Sequence, residues 1–212
     1  GAAKEPRPLY FDTMMPMNPY TFACATAKEV GDYVREARTK SFEVDIKGGN
    51  DRDIVTSIDR EANQLILSKV REAFPTHRIY SEEGDDSKEG VDEQWVLDPI
   101  DGSSNFSRDI PHYAVSIGLM REGVPVLGAI YNPVTSELFS YEKGKGAFIN
   151  DMPVRVSEVA RLASAQVIFS PGSRNPELWD WAGTSYRKLL EHAKKRGMYG
   201  SSALDLCFVA AG

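Results

Sequence analysis

The stretch "WVLDPIDGSSNF", residues 95–106, decides how this chain is read. Trp95-Val96-Leu97 is an apolar run of strand type that drives straight into Asp98. Asp101 follows three positions later, and Gly102-Ser103-Ser104-Asn105 then reads as the start of a helix. A strand end needs only a turn, and either acid or the helix start alone would supply one. Pro99 removes a backbone donor and stiffens the turn, leaving the Ile100 carbonyl free to face whatever the carboxylates hold. Crowded carboxylates repel unless they share a proton or a cation. A hard cation with oxygen ligands at roughly 2.0–2.1 Å, Mg2+, answers that need. Gly102 allows close backbone approach, and the amides and hydroxyls of Ser103, Ser104 and Asn105 at a helix N-terminus suit a phosphate. Metal ligands beside a phosphate cradle point to metal-assisted phosphoryl chemistry. The plainer alternative has Asp98-Pro99 opening a turn and Asp101 serving as a helix N-cap.

Outward from this stretch, two other places put acids at an element boundary. In "TSID" (56–59), Thr56 and Asp59 fit a capping box, so Asp59 reads equally as a cap or as a site residue. Glu82-Glu83, after the strand-like "RIYS", reads as a solvated turn when taken alone. Apolar spacing predicts helices over 25–38 and 58–74, separated by the polar loop "KGGNDRD". "RIYSEEG", "EQWVLDPI", "YAVSIGLM", "VPVLGAIY", "SELFSYE", "GAFIN" and "AQVIFS" read as strands, with turns at Glu122-Gly123 and Asn132-Pro133. After the loop "PGSRNP", two helices are expected at about 184–196 and 201–211. Residues 1–22, rich in proline and methionine, read as an N-terminal arm, and 23–212 as one α/β layered domain.

Composition narrows the function. Lysine and arginine number 25 against 31 acids, a net charge of −6, which argues against nucleic acid or an anionic membrane as partner. An acidic chain that handles an anionic substrate needs cations within its site. Cys24 and Cys207 have no paired spacing and read as reduced thiols, no apolar run is long enough to span a membrane, and the cytoplasm is the expected compartment. His77, His112 and His192 share no ligand spacing, and "EKGKGAFIN" reads as a hairpin, not a phosphate loop.

"DPIDGSSNF" is similar to the D-P-I-D-G-T-T-N-F motif of the inositol monophosphatase family of Mg2+-dependent, lithium-sensitive phosphatases. "DIVTSID" (53–59), "SEEG" (81–84), "IPHYAVSIGL", "GKGAFIND" and "GSSALDLCFVAAG" (200–212) resemble further family segments in order along the chain. The resemblance implies a layered αβαβα sandwich, of the inositol monophosphatase and fructose-1,6-bisphosphatase type, and a homodimer. It implies two or three Mg2+ ions held by Glu82, Asp98, the Ile100 carbonyl and Asp101. Asp59 and Ser103 would activate the attacking water, with Ser103 replacing the usual threonine. Asp101 and the amides of Gly102 and Ser103 would meet the phosphorylated polyol, and Gly200, Ser201 and Ser202 would line its other side. The expected reaction is hydrolysis of a phosphomonoester, inositol monophosphate first, by direct attack of water. Fructose 1,6-bisphosphate, histidinol phosphate and an adenosine bisphosphate are alternative substrates, and a non-catalytic metal-, phosphate- or partner-binding protein is the alternative class. The family continues past the position of Gly212 with further acids, so the chain is expected to be incomplete there. The "WDWAG" at 179–183 precedes the last helix, and Asp180 is expected to be surface decoration.

Overall fold

The computed structural model describes residues 17–46, 54–81, the backbone of 84–86, 91–170 and 176–212. The expected loops "KGGNDRD" and nearly all of "PGSRNP" lie outside the described residues, as do Glu82 and Glu83. Helix α1 runs Pro19–Ala37, and Asn18 caps it by accepting from Tyr20 N at 2.9 Å and Thr21 N at 3.1 Å. Pro19 sits at the first helical position, where its fixed φ suits a helix and its missing donor costs nothing. The helix therefore opens before Ala25, and residues 19–22 belong to it instead of to an arm. Ala23, Ala27, Val30 and Val34 form its buried stripe, and a Cβ on Gly31 would come within 2.4 Å of the Tyr131 ring, so the helix lies tight on the sheet.

Strand β1 (Val44–Ile46) pairs antiparallel with β2 (Ile54–Thr56), and α2 (Ser57–Ala73) follows at once. Then come β3 (Arg78–Ser81), β4 (Gly84–Asp86), β5 (Glu93–Asp101), the short helix α3 (Ser103–Ser107), β6 (Ala114–Arg121) and β7 (Val124–Asn132). Strands β8 (Glu137–Glu142), β9 (Gly146–Ile149) and β10 (Met152–Val154) complete an eight-stranded sheet among the described residues. Its order is β10-β9-β8-β7-β6-β5-β3-β4, antiparallel throughout except for the parallel pair β3–β5. Glu122 and Gly123, both at positive φ, make the β6–β7 turn, which suits the twist of a two-residue hairpin.

Helices α1 and α2 cover one face of this sheet, where Trp95, Leu97, Ile117 and Leu119 meet Val30, Val34, Ile66 and Val70. Trp95 is wholly buried, with the rings of Phe22 and Phe74 at 5.4 and 5.1 Å. The other face receives α5 (Ser202–Ala211), whose Leu204 and Cys207 pack on Ala114 and Phe139. Ala114 alternates with Val115, which belongs to the first core, so the two helical layers sandwich the sheet.

Between β10 and α5 the chain forms β11 (Gln166–Ile168), α4 (Trp179–His192) and β12 (Lys195–Gly197), with β11 and β12 paired in parallel. This corrects the expected helix at 184–196. The helix opens at Trp179, and Lys195-Arg196-Gly197 leaves it to pair with β11, a tertiary ladder overriding helix propensity. Asp180 lies exposed in the first turn of α4. Cys24 and Cys207 are free thiols. Among the described residues no helix is long and apolar enough to cross a membrane.

Candidate active site

Strand β5 does not stop at Asp98, as its sequence suggests, but continues to Asp101 through an irregularity. Asp98 is level with Ser116 of β6 and Asp101 with Ala114, so three steps on one strand face two on the other. The extra residue is a bulge, and a proline that cannot donate is at home there. Two residues three apart on a regular strand would point to opposite faces. With one position absorbed, Ile100 turns into the core beside Leu97, and Asp101 returns to the face that Asp98 occupies. Both aspartates are half-buried. Asp98 Oδ1 accepts from Ile100 N at 3.1 Å, which fixes the bulge from within.

Asp59 arrives from the first turn of α2 and is 2% exposed. Its Oδ2 accepts from Thr56 N at 2.8 Å and from the Thr56 hydroxyl, completing the capping box. Its Oδ1 accepts from Ser103 Oγ at 2.8 Å. The cap and site readings of Asp59 are therefore not exclusive, since each carboxylate oxygen takes one of them. The Ile100 carbonyl is not wholly free, because it accepts from the same Ser103 hydroxyl at 2.9 Å. A carbonyl has a second lone pair, and a hydroxyl has one proton to give to either acceptor.

Gly102 is the N-cap of α3 at φ +101°, a left-handed conformation that other residues adopt only under strain. A Cβ there would also lie 3.1 Å from His112 O and 3.2 Å from Gly200 O. No side chain caps α3, so its first amides remain available, although five residues make little dipole. Asp101, expected as a possible N-cap, instead ends β5 and turns toward α5: its Oδ2 accepts from Ala203 N at 2.8 Å and from the Ser201 hydroxyl. Ser201 is the buried N-cap of α5, and Gly200 and Ser202 flank it in sequence. The site thus joins a strand bulge, the start of α2, the start of α3 and the start of α5.

Glu82 lies outside the described residues. The strand that precedes it is held firmly: Ser81 is level with Leu97 of β5, and its hydroxyl donates to Asn63 Oδ1 on α2 at 2.6 Å. Among the described residues no three acids, histidines or cysteines gather into a metal-holding group. Asp98, Ile100 and Asp101, neighbours on the bulge, offer only oxygens, two carboxylates and a carbonyl, a donor set that would fit a hard cation and no thiolate- or imidazole-loving one. Burial and the nearby Asp101 charge push the Cys207 thiol up to about 12, so this thiol is inert. Asp205, one turn into α5, is raised by burial, and His112, 3.5 Å away, draws it back. His77 packs beside Trp95 and His192 is exposed, so the histidines serve packing and pairing. The residue that sequence reasoning undervalued is Asn105, read only as one more amide; its side chain joins the turn after α3 to the distant loop before α5.

A chain from Pasteurella multocida called Nus factor SuhB is 34% identical over 201 residues, covering 92% of this chain and 74% of that one. Inositol monophosphatase 2 of Solanum lycopersicum is 36% identical over 196 residues, covering 90% and 73%. The crystal structure of the extragenic suppressor protein suhB from Bartonella henselae superimposes with a TM-score of 0.82 at 32% identity, covering 89% of this chain and 72% of that one. Residues 17–212 match the model of the inositol monophosphatase family, and with these relatives in sequence and in fold the chain belongs to that family.

Proposed function

We propose that this chain is a Mg2+-dependent phosphomonoesterase acting on a small phosphorylated polyol, with inositol monophosphate as the substrate of choice. The observation that carries the reading is the Ser103 hydroxyl, 2.8 Å from the buried Asp59 carboxylate on the same turn that aligns Asp98 with Asp101. Asp98, the Ile100 carbonyl and Asp101, with Glu82, would hold the cations. Bound Mg2+ supplies acidity to the attacking water and neutralises charge on the leaving oxygen. Ser103 Oγ donates its hydrogen bond to Asp59 and so turns a lone pair toward a water, which it orients; as that water passes a proton to Oγ, the hydroxyl proton moves on to Asp59, and Ser103 is left neutral. Asp59, dry and already holding Thr56, keeps Ser103 in that rotamer. The Gly102 and Ser103 amides face the phosphate, and Gly200 and Ser202 border the polyol, while the buried Ser201 acts from behind through Asp101. The tomato relative's name supports this substrate class.

The test is phosphate release from inositol 1-phosphate with and without Mg2+, in wild type and Asp98→Asn. Release that needs Mg2+ and is lost in the variant is expected; release untouched by Asp98→Asn would refute the metal assignment. The name of the Pasteurella relative, Nus factor SuhB, is not that of a phosphatase and favours a second reading, in which the fold serves a non-catalytic binding role. Wild type that binds Mg2+ but releases no phosphate from any small monoester would favour it.

A further inference from the structure

A single carboxamide ties the turn after α3 and one distant loop to the site. Asn105 lies in α3 and is 8% exposed. Its Nδ2 donates to His112 O at 2.8 Å and to Tyr199 O at 2.7 Å, so both its hydrogens are committed, one of them to a loop 94 residues away. Its backbone is committed as well: Asn105 N donates to Gly102 O at 2.9 Å, and Asn105 O accepts from Ile110 N at 2.9 Å. Gly200 closes on the same amide, since a Cβ there would lie 3.1 Å from Nδ2. The carbonyls of His112 and Gly200 in turn form the wall behind Gly102.

These contacts stand apart from the proton path of Ser103 and Asp59. They act on Asp101. The groups that hold Asp101 Oδ2, the Ser201 hydroxyl and Ala203 N, follow directly after Tyr199 and Gly200. Fixing the Tyr199 carbonyl fixes where α5 begins, and with it the direction in which Asp101 presents its other oxygen. The His112–Asp205 pair repeats the link one turn further along α5.

We propose that Asn105 is a positioning residue that sets the orientation of Asp101, and thereby the affinity of the site for its divalent cation. The proposal rests on the reading of Asp98 and Asp101 as metal ligands. Asn105→Asp keeps the shape but removes both donors and sets a carboxylate against two carbonyls; Asn105→Ala leaves those carbonyls unpaired.

The probe is Mg2+ alone, titrated calorimetrically into the full chain. Both Asn105 variants are expected to weaken Mg2+ binding by about tenfold, the scale seen when partners that orient metal ligands are lost. In phosphate release, their deficit at low Mg2+ is largely recovered at saturating Mg2+, whereas that of Ser103→Ala is not. Gly200→Ala, in an exposed loop, presses on the same carboxamide from its other side. It should reproduce the weakening and combine less than additively with Asn105→Ala. Wild-type Mg2+ affinity in folded Asn105→Asp and Gly200→Ala would overturn the proposal, as would a loss that merely follows the folded fraction. Asp98→Asn serves as the separate control. Mg2+ binding indifferent to that change sinks the metal reading and the role of Asn105 with it, whereas binding lost in Asp98→Asn but intact in the Asn105 and Gly200 variants sinks Asn105 alone.

Discussion

Ser103 has one proton and two acceptors for it, Asp59 Oδ1 at 2.8 Å and Ile100 O at 2.9 Å. A cation held by the Ile100 carbonyl would lower its worth as an acceptor and tip the proton toward Asp59, so the proposed metal and base would be coupled through one hydroxyl. Ser103→Ala should reduce turnover by about a hundredfold, within the range for a lost proton-transfer group. Ser103→Thr, which keeps the hydroxyl, should retain it. A thermal melt of Ser103→Ala close to wild type would show that the loss is chemical. At the same scale, burial and the Asp101 charge raise the Cys207 thiol to about 12 from 9.0. A raised folded value means that the native state holds its proton longer, so this contribution to stability is intact below pH 9 and is lost between pH 9 and 12. Over that window unfolding free energy should fall as pH rises, because the unfolded state gives up this proton first. Cys207→Ala should show a shallower decline of melting temperature with alkaline pH.

At the scale of elements, the start of α2 serves both folding and the site. Thr56→Ala removes the cap and should cost about 1 kcal/mol, or about 2–4 °C in melting temperature for a chain of this size. Phosphate release should suffer little, because Ser103 still donates to Asp59. Asp59→Asn should lose both stability and turnover. Much of this was legible in the sequence. The longer strands of the large sheet, from β3 through β5–β9, and the capping box at Thr56 follow from period and turn chemistry, whereas the short β4 has no signal of its own and the segments around Glu82 and Gly200 stand out only through the family resemblance. What was not legible depends on partners far off in the chain. Residues 195–197 become a strand only because β11 is there to pair with, and 44–46 only because of β2. The bulge in β5 is visible solely in register against β6, and the importance of Asn105 only in the two carbonyls it reaches. Local patterns cannot encode either one.

At the scale of the molecule, the site rests where two helical layers meet the sheet between them. Asp59 belongs to the α1–α2 layer, Asp98 and Asp101 to the sheet, and Ser201 to the α5 layer. Loosening the core should therefore loosen the site. Trp95, wholly buried among Phe22 and Phe74 and three residues before Asp98, is the sharpest probe. Trp95→Ala should cost about 3–5 kcal/mol, read by chemical denaturation. Among the folded molecules that remain, Mg2+ should bind more weakly than in wild type, because the bulge loses its backing.

The bulge also offers an experiment that no substitution can perform. A side chain can be exchanged, but the Ile100 carbonyl belongs to every amino acid. Removing Pro99 altogether would make three residues, Asp98, Ile100 and Asp101, alternate as in a plain strand. Both aspartates would keep their face and Ile100 its place in the core, while its carbonyl would take up the direction of a regular strand. Such a chain, one residue shorter and more regular, would separate what the acids contribute from what the main chain contributes. In this fold the informative edit is a change of length.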